Sequence, residues 1–241
     1  MRMKYSGHSF IFFSFNFHFN FKQFLLAIGI LILAILLIAP IAYINKILPI
    51  SKDWAVYFKA LEVKRATQEA TLIQLDSFPK YILPLFMIAF LPGFFEETFF
   101  RGGLQNLLTR WFKGPWAAII LTSIIFSLVH LSYYGFLVRL ALGMILGFIF
   151  YYGKSLWLNV FCHFLFNGIQ ITVLYVMTMN GVKNSANIED TYVPLWIGAM
   201  VLLLLLYLFK LYKRTSAIKQ SQYIEEITLE DEFHNWTANN S

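Results

Sequence analysis

Two adjacent acids stand in a run of phenylalanines, Phe94-Phe95-Glu96-Glu97-Thr98-Phe99-Phe100-Arg101, and two histidines, His130 and His163, lie in similarly apolar stretches further on. An ionisable side chain at the centre of a membrane helix costs about 2.5–3.5 kcal/mol to insert, so a chain that keeps several has a use for them. Helical geometry separates the two acids. Glu97 and Arg101 are four apart and share a face, so the guanidinium can neutralise Glu97, whereas Glu96 is rotated by about 100° and keeps no sequence-local partner. A carboxylate without a local partner suits a general base. Pro92-Gly93 just upstream should kink or restart the helix and free backbone groups for protein or cavity water to satisfy. Phe126 and His130 are four apart, as are His163 and Asn167, so each pair shares a helical face. His130 could orient a water or protonate a leaving amine, and the imidazole and carboxamide of His163 and Asn167 could face a developing oxyanion. The chemistry these residue types support is acyl transfer to water.

The elements that must position them are membrane helices. The 241 residues are 59% hydrophobic and only 13% charged, with a mean hydropathy of +0.63, far more apolar than a soluble domain. Apolar runs long enough for about 30 Å of hydrocarbon fall at 24–44, 81–100, 116–131, 136–152, 156–179 and 194–211, predicting an all-α polytopic bundle of about six transmembrane helices. The net charge of +6 comes from cations scattered at the ends of these runs, not clustered as nucleic-acid binding requires. Lys22, Arg110, Lys113, Lys154, Lys210, Lys213, Arg214 and Lys219 all fall on one side if both termini are cytoplasmic, which predicts a protein of the cell's inner or plasma membrane in that orientation. The cations of 45–80 are the exception. They are interleaved with acids, and Trp54, Phe58 and Leu61 share one helical face, predicting a helix lying on the membrane.

Four regions follow: a Phe-rich interfacial or disordered arm over 1–23, a first helix with an amphipathic loop over 24–80, a core over 81–212, and an acidic tail over 213–241, solvated or weakly helical. In the arm phenylalanine recurs almost every second residue, which leaves His8 and His18 as bystanders. Residues 25–39 have the length of a signal-peptide apolar region, but the long preceding tail and Pro40 argue against cleavage there. The single cysteine, Cys162, excludes an internal disulfide framework, and as the immediate neighbour of His163 it diverges by about 100° and cannot form a dyad with it. Gly143 and Gly147 are spaced to let helices approach closely.

The three pairs, Glu96-Glu97 with Arg101, Phe126 with His130, and His163 with Asn167, match Glu-Glu-x-x-x-Arg, Phe-x-x-x-His and His-x-x-x-Asn motifs in order on successive helices. Over roughly 81–170 the chain resembles the CPBP family of CAAX-prenyl-protease and bacteriocin-processing (Abi) proteins. That resemblance implies a metal-free intramembrane glutamic endopeptidase in which Glu96 activates water with help from His130, Glu97 and Arg101 support the site, and His163 with Asn167 stabilises the oxyanion. Phe126 is then expected on the substrate side. The implied partners are membrane lipid and a membrane-anchored or lipidated peptide, with no nucleic acid and no cofactor.

Three other readings use the same residues. Glu96, His130 and His163 supply the donors of a two-His, one-carboxylate zinc site, although the His-Glu-x-x-His signature is absent. A noncatalytic immunity or scaffold protein would use the motif residues only to hold helices together. A transporter or proton relay would use the same acids and histidines, but the paired broken helices of transporters are missing.

Overall fold

The structure is a computed structural model that describes the backbone of residues 19–72, 75–181 and 194–239, and side chains within these except 68–72 and 219–239. The Phe-rich arm up to residue 18, with His8 and His18, lies outside the described residues. Eight helical elements follow: α1 (Phe21–Leu36), α2 (Ile38–Ile47), α3 (Lys52–Leu72), α4 (Phe78–Trp111), α5 (Pro115–Val129), α6 (Phe136–Gly153), α7 (Leu156–Met179) and α8 (Leu195–Asn239). The fold is all-α.

Among the described residues, five stretches are long and apolar enough to cross a membrane: Phe21–Ile47 (α1 with α2), α4, α6, α7 and the Leu195–Ile218 part of α8. The sixth expected run forms α5, whose 15 residues reach only about 22 Å, short of the hydrocarbon thickness. Large apolar side chains such as Phe95, Leu203 and Trp196 remain exposed on the outside of the bundle, as lipid-facing positions are when no water competes for them. The chain is an integral membrane protein.

Helix α4 is one continuous rod of 34 residues but not a uniform α-helix. It widens to π-helix over Leu85–Phe90 and again over Thr98–Gln105. The first widening has a plain cause. Pro92 has no N–H, and in an α-helix its ring would press on the carbonyl four residues back. The wider turn, in which the Leu91 N–H reaches the Phe86 carbonyl, moves that carbonyl aside. Pro92-Gly93 thus re-phases the helix without ending it. Such π insertions recur at functional sites, and here they bracket Glu96 and Glu97.

Three close approaches bring the motif helices together. A Cβ on Gly93 would stand 3.2 Å from the Phe164 backbone nitrogen and 3.6 Å from His163 Cβ, so α4 and α7 touch nearly backbone to backbone beside the two acids. One on Gly143 would stand 3.0 Å from Ser123 Cβ, and one on Gly147 2.9 Å from Ile119 Cγ2, so these glycines let α5 pack on α6, the small-residue contact their spacing predicts. At one end of the α4–α7 pair Tyr81 stacks on Tyr175 and its hydroxyl meets Thr172 Oγ1 at 2.9 Å. The acidic tail is helical to Asn239.

Candidate active site

Glu97 is completely buried and saturated with donors. Arg101 Nη1 donates to its Oε1 at 2.8 Å, Asn159 Nδ2 to its Oε2 at 3.0 Å, and His163 Nδ1 to Oε1 at 2.7 Å. A carboxylate can only accept, so the His163 proton facing it sits on Nδ1. Arg101, also buried, spends its other arm on the Gly143 carbonyl at 3.2 Å and lies 4.9 Å from the centre of the Phe126 ring. A buried charge is tolerable only when paired and hydrogen-bonded, and this cluster meets that condition by joining α4, α6 and α7.

Glu96 points elsewhere, as its 100° offset requires. Its side chain is 29% exposed, and its two oxygens face two rings: Oε1 lies 3.9 Å from His130 Nε2, and Oε2 lies 3.8 Å from His163 Nε2. These gaps are too long for direct hydrogen bonds, yet one water at about 2.8 Å from each atom would bridge either gap. The His130 ring is also 29% exposed and is fixed from behind by Nδ1 donating to the Phe126 carbonyl at 2.7 Å. Both imidazoles therefore present Nε2 to the same carboxylate, with Nδ1 engaged on the far side.

Glu96, Glu97, Arg101, His130 and His163 thus converge from three helices. Phe126 packs beside them. It is 2% exposed and enclosed by Phe100, His130, His163 and the Arg101 guanidinium, so it forms a wall behind the two imidazoles. The reason is its register: the face of α5 that carries His130 also faces α4. Asn167 lies half-buried one turn beyond His163, and among the described residues its carboxamide has no hydrogen-bond partner. Cys162 is buried in the main apolar core.

Sequence reasoning overlooked Asn159. It is completely buried and holds Glu97 with one amide hydrogen and the Leu146 carbonyl at 2.8 Å with the other. The signal was present: Asn159, His163 and Asn167 follow each other at intervals of four, a polar stripe along an otherwise apolar helix.

A zinc ion would need its ligands closer together than these side chains stand. Two ligand atoms about 2.0 Å from a tetrahedral ion lie about 3.3 Å apart, closer than either gap at Glu96. Among the described residues no group of three His, Cys, Asp or Glu side chains forms a metal-binding set.

An all-helical membrane bundle with an acid facing two imidazoles beside a buried ion pair defines an intramembrane acid–histidine site. Residues 78–169, the stretch that holds all three motifs, match the family of type II CAAX prenyl endopeptidase Rce1-like proteins. The chain is also 28% identical over 111 residues to YdiL of Bacillus subtilis strain 168, a protein provisionally described as a membrane peptidase. The match covers 44% of this chain and 42% of YdiL, so the chain spans less than half the length of that relative. No solved structure matches the chain significantly.

Proposed function

We propose that the protein is an intramembrane endopeptidase that cleaves a membrane-anchored or lipidated peptide, of the CAAX type, by glutamate-activated water. The carrying observation is the placement of Glu96: half-exposed, its two oxygens 3.9 and 3.8 Å from two Nε2 atoms, while the adjacent acid is buried and neutralised.

Glu96 takes a proton from a water held between it and His130 Nε2, and the resulting hydroxide attacks the scissile carbonyl carbon. The carbonyl oxygen gains the negative charge. His163, oriented by Glu97, donates to that oxygen from Nε2 when the ring carries both protons, and the unengaged Asn167 amide donates beside it. Collapse breaks the C–N bond, and the proton taken by Glu96 passes to the leaving amine, directly or through His130. Glu97, Arg101 and Asn159 act through His163. No metal enters this sequence. Leu128, Val129 and Leu131 beside His130 are exposed apolar side chains, which suits a substrate that reaches the site from the lipid, such as a lipid-tethered peptide. The positive flanks support an orientation with both termini in the cytoplasm.

The test is cleavage of a library of membrane-tethered peptides, prenylated and unprenylated, by the purified full chain. Cleavage that requires the tether supports the reading. No cleavage of any member, or cleavage unaffected by Glu96→Ala, Glu97→Ala, His130→Ala and His163→Ala alike, contradicts it.

A further inference from the structure

Helix α3 lies outside the motif core, and the sequence predicts only that it rests on the membrane. Its position in the structure is more specific. The inward residues Phe58, Glu62 and Arg65 recur at intervals of four and three, and all three engage the turn that follows His130. Arg65 Nη1 donates to the His130 carbonyl at 2.6 Å. Glu62 Oε1 accepts from Ser132 Oγ at 2.8 Å and from the Tyr134 backbone nitrogen at 3.3 Å. Phe58 stacks on Tyr133 with centroids 5.4 Å apart. Trp54, one turn earlier, is 57% exposed.

The turn needs such support. Leu131, directly after His130, has φ = 50°, a left-handed conformation that costs an L-residue about 1–2 kcal/mol. Its side chain is 67% exposed and contributes little packing to offset that cost. Strained backbone of this kind persists where its surroundings over-determine it. Here α3 contacts both sides of Leu131, at His130 and at Ser132, adding to the turn's own bond from the Gly135 nitrogen to Ser132 Oγ. Asn45 of α2 steadies the far end of the turn, donating to the Tyr133 carbonyl at 2.9 Å and accepting from the Leu137 nitrogen at 2.8 Å.

We infer that Arg65 and Glu62 are positioning residues, and that the docking of α3 holds the turn that sets the His130 imidazole against Glu96. The inference rests on the proposed hydrolysis for its kinetic consequence, but the docking stands independently of it. If α3 undocks, Leu131 relaxes, the end of α5 unwinds, and His130 leaves its place opposite Glu96. The protease core is then complete only when a helix from outside the three motifs is seated.

Hydrogen exchange and kinetics of the full chain in lipid nanodiscs test this, comparing wild type with Arg65→Ala, Arg65→Lys and Glu62→Ala. The kinetic probe is a fluorogenic peptide tethered through a farnesylated cysteine. Arg65→Ala and Glu62→Ala should raise amide exchange over 130–134 by about tenfold or more and lower kcat about 10–100-fold, with KM moving less than about twofold, the signature of a misplaced group. Arg65→Lys, which can still donate to the His130 carbonyl, should recover most of both. Unchanged exchange over 130–134 would overturn the docking, and faster exchange with unchanged kcat would overturn the positioning role. If wild type cleaves nothing, the hydrolytic reading fails and exchange alone decides whether α3 holds the turn.

Discussion

His163 is held by Glu97 through a 2.7 Å hydrogen bond at Nδ1, and this bond determines which ring nitrogen faces Glu96. The adjacent acids of the motif therefore divide the work. One fixes a histidine from the protein interior, and the other meets that histidine and a second one in the half-open site.

Removing one partner of the buried Glu97–Arg101 pair should be far more damaging than removing both. Glu97→Ala leaves a buried guanidinium uncompensated and is expected to cost about 3–5 kcal/mol. The double variant Glu97→Leu with Arg101→Met should recover most of that stability while remaining inactive, because His163 has lost its anchor. Midpoints of SDS-induced unfolding, paired with peptide cleavage, check both halves. A double variant no more stable than Glu97→Ala contradicts the pairing argument.

Asn159→Ala should destabilise by about 1–3 kcal/mol, since it leaves a buried carboxylate oxygen and the Leu146 carbonyl short of a donor. Because Asn159 acts through Glu97 and His163, it should also lower kcat without changing KM. Wild-type kcat in a stable Asn159→Ala protein would confine the residue to packing.

Two glycines of the same helix should respond differently to alanine. Gly93→Ala places a methyl group 3.2 Å from the Phe164 backbone, forcing α4 and α7 apart at an expected cost of about 1–3 kcal/mol and lengthening the Glu96–His163 gap. Gly103→Ala meets nothing closer than the Thr98 carbonyl at 3.8 Å and should be neutral or slightly stabilising, as alanine favours helix. Thermal midpoints of the two variants decide it.

Cleavage should survive EDTA and 1,10-phenanthroline. Loss of activity on chelation with recovery on added zinc would instead assign Glu96, His130 and His163 to a metal site.

The helices and the motif residues were legible because both signals are local. Long apolar runs set the spans, and intervals of four placed Glu97 with Arg101 and Phe126 with His130 on common faces. The surroundings of Phe126 were not legible, since which side chains enclose it depends on how α4 and α5 pack. The same holds for α3. Its charges read as those of a surface helix, and only the fold brings Glu62 and Arg65 to the turn after His130. The π-helical widenings of α4 were hidden for another reason. Pro92-Gly93 announces a disturbance, but helix-ending and helix-widening responses differ in where the freed carbonyls find partners, which is a tertiary matter.

The central claim is that Glu96 is the base that activates water, and single-turnover cleavage of the farnesyl-tethered peptide by wild type and Glu96→Gln tests it most directly. Glutamine keeps the size and a hydrogen-bonding oxygen but accepts no proton, so the cleavage rate should fall by about 10²–10⁴ while the thermal midpoint stays within about 2 °C, as for a partly exposed site. A Glu96→Gln protein that cleaves within tenfold of wild type would contradict the account.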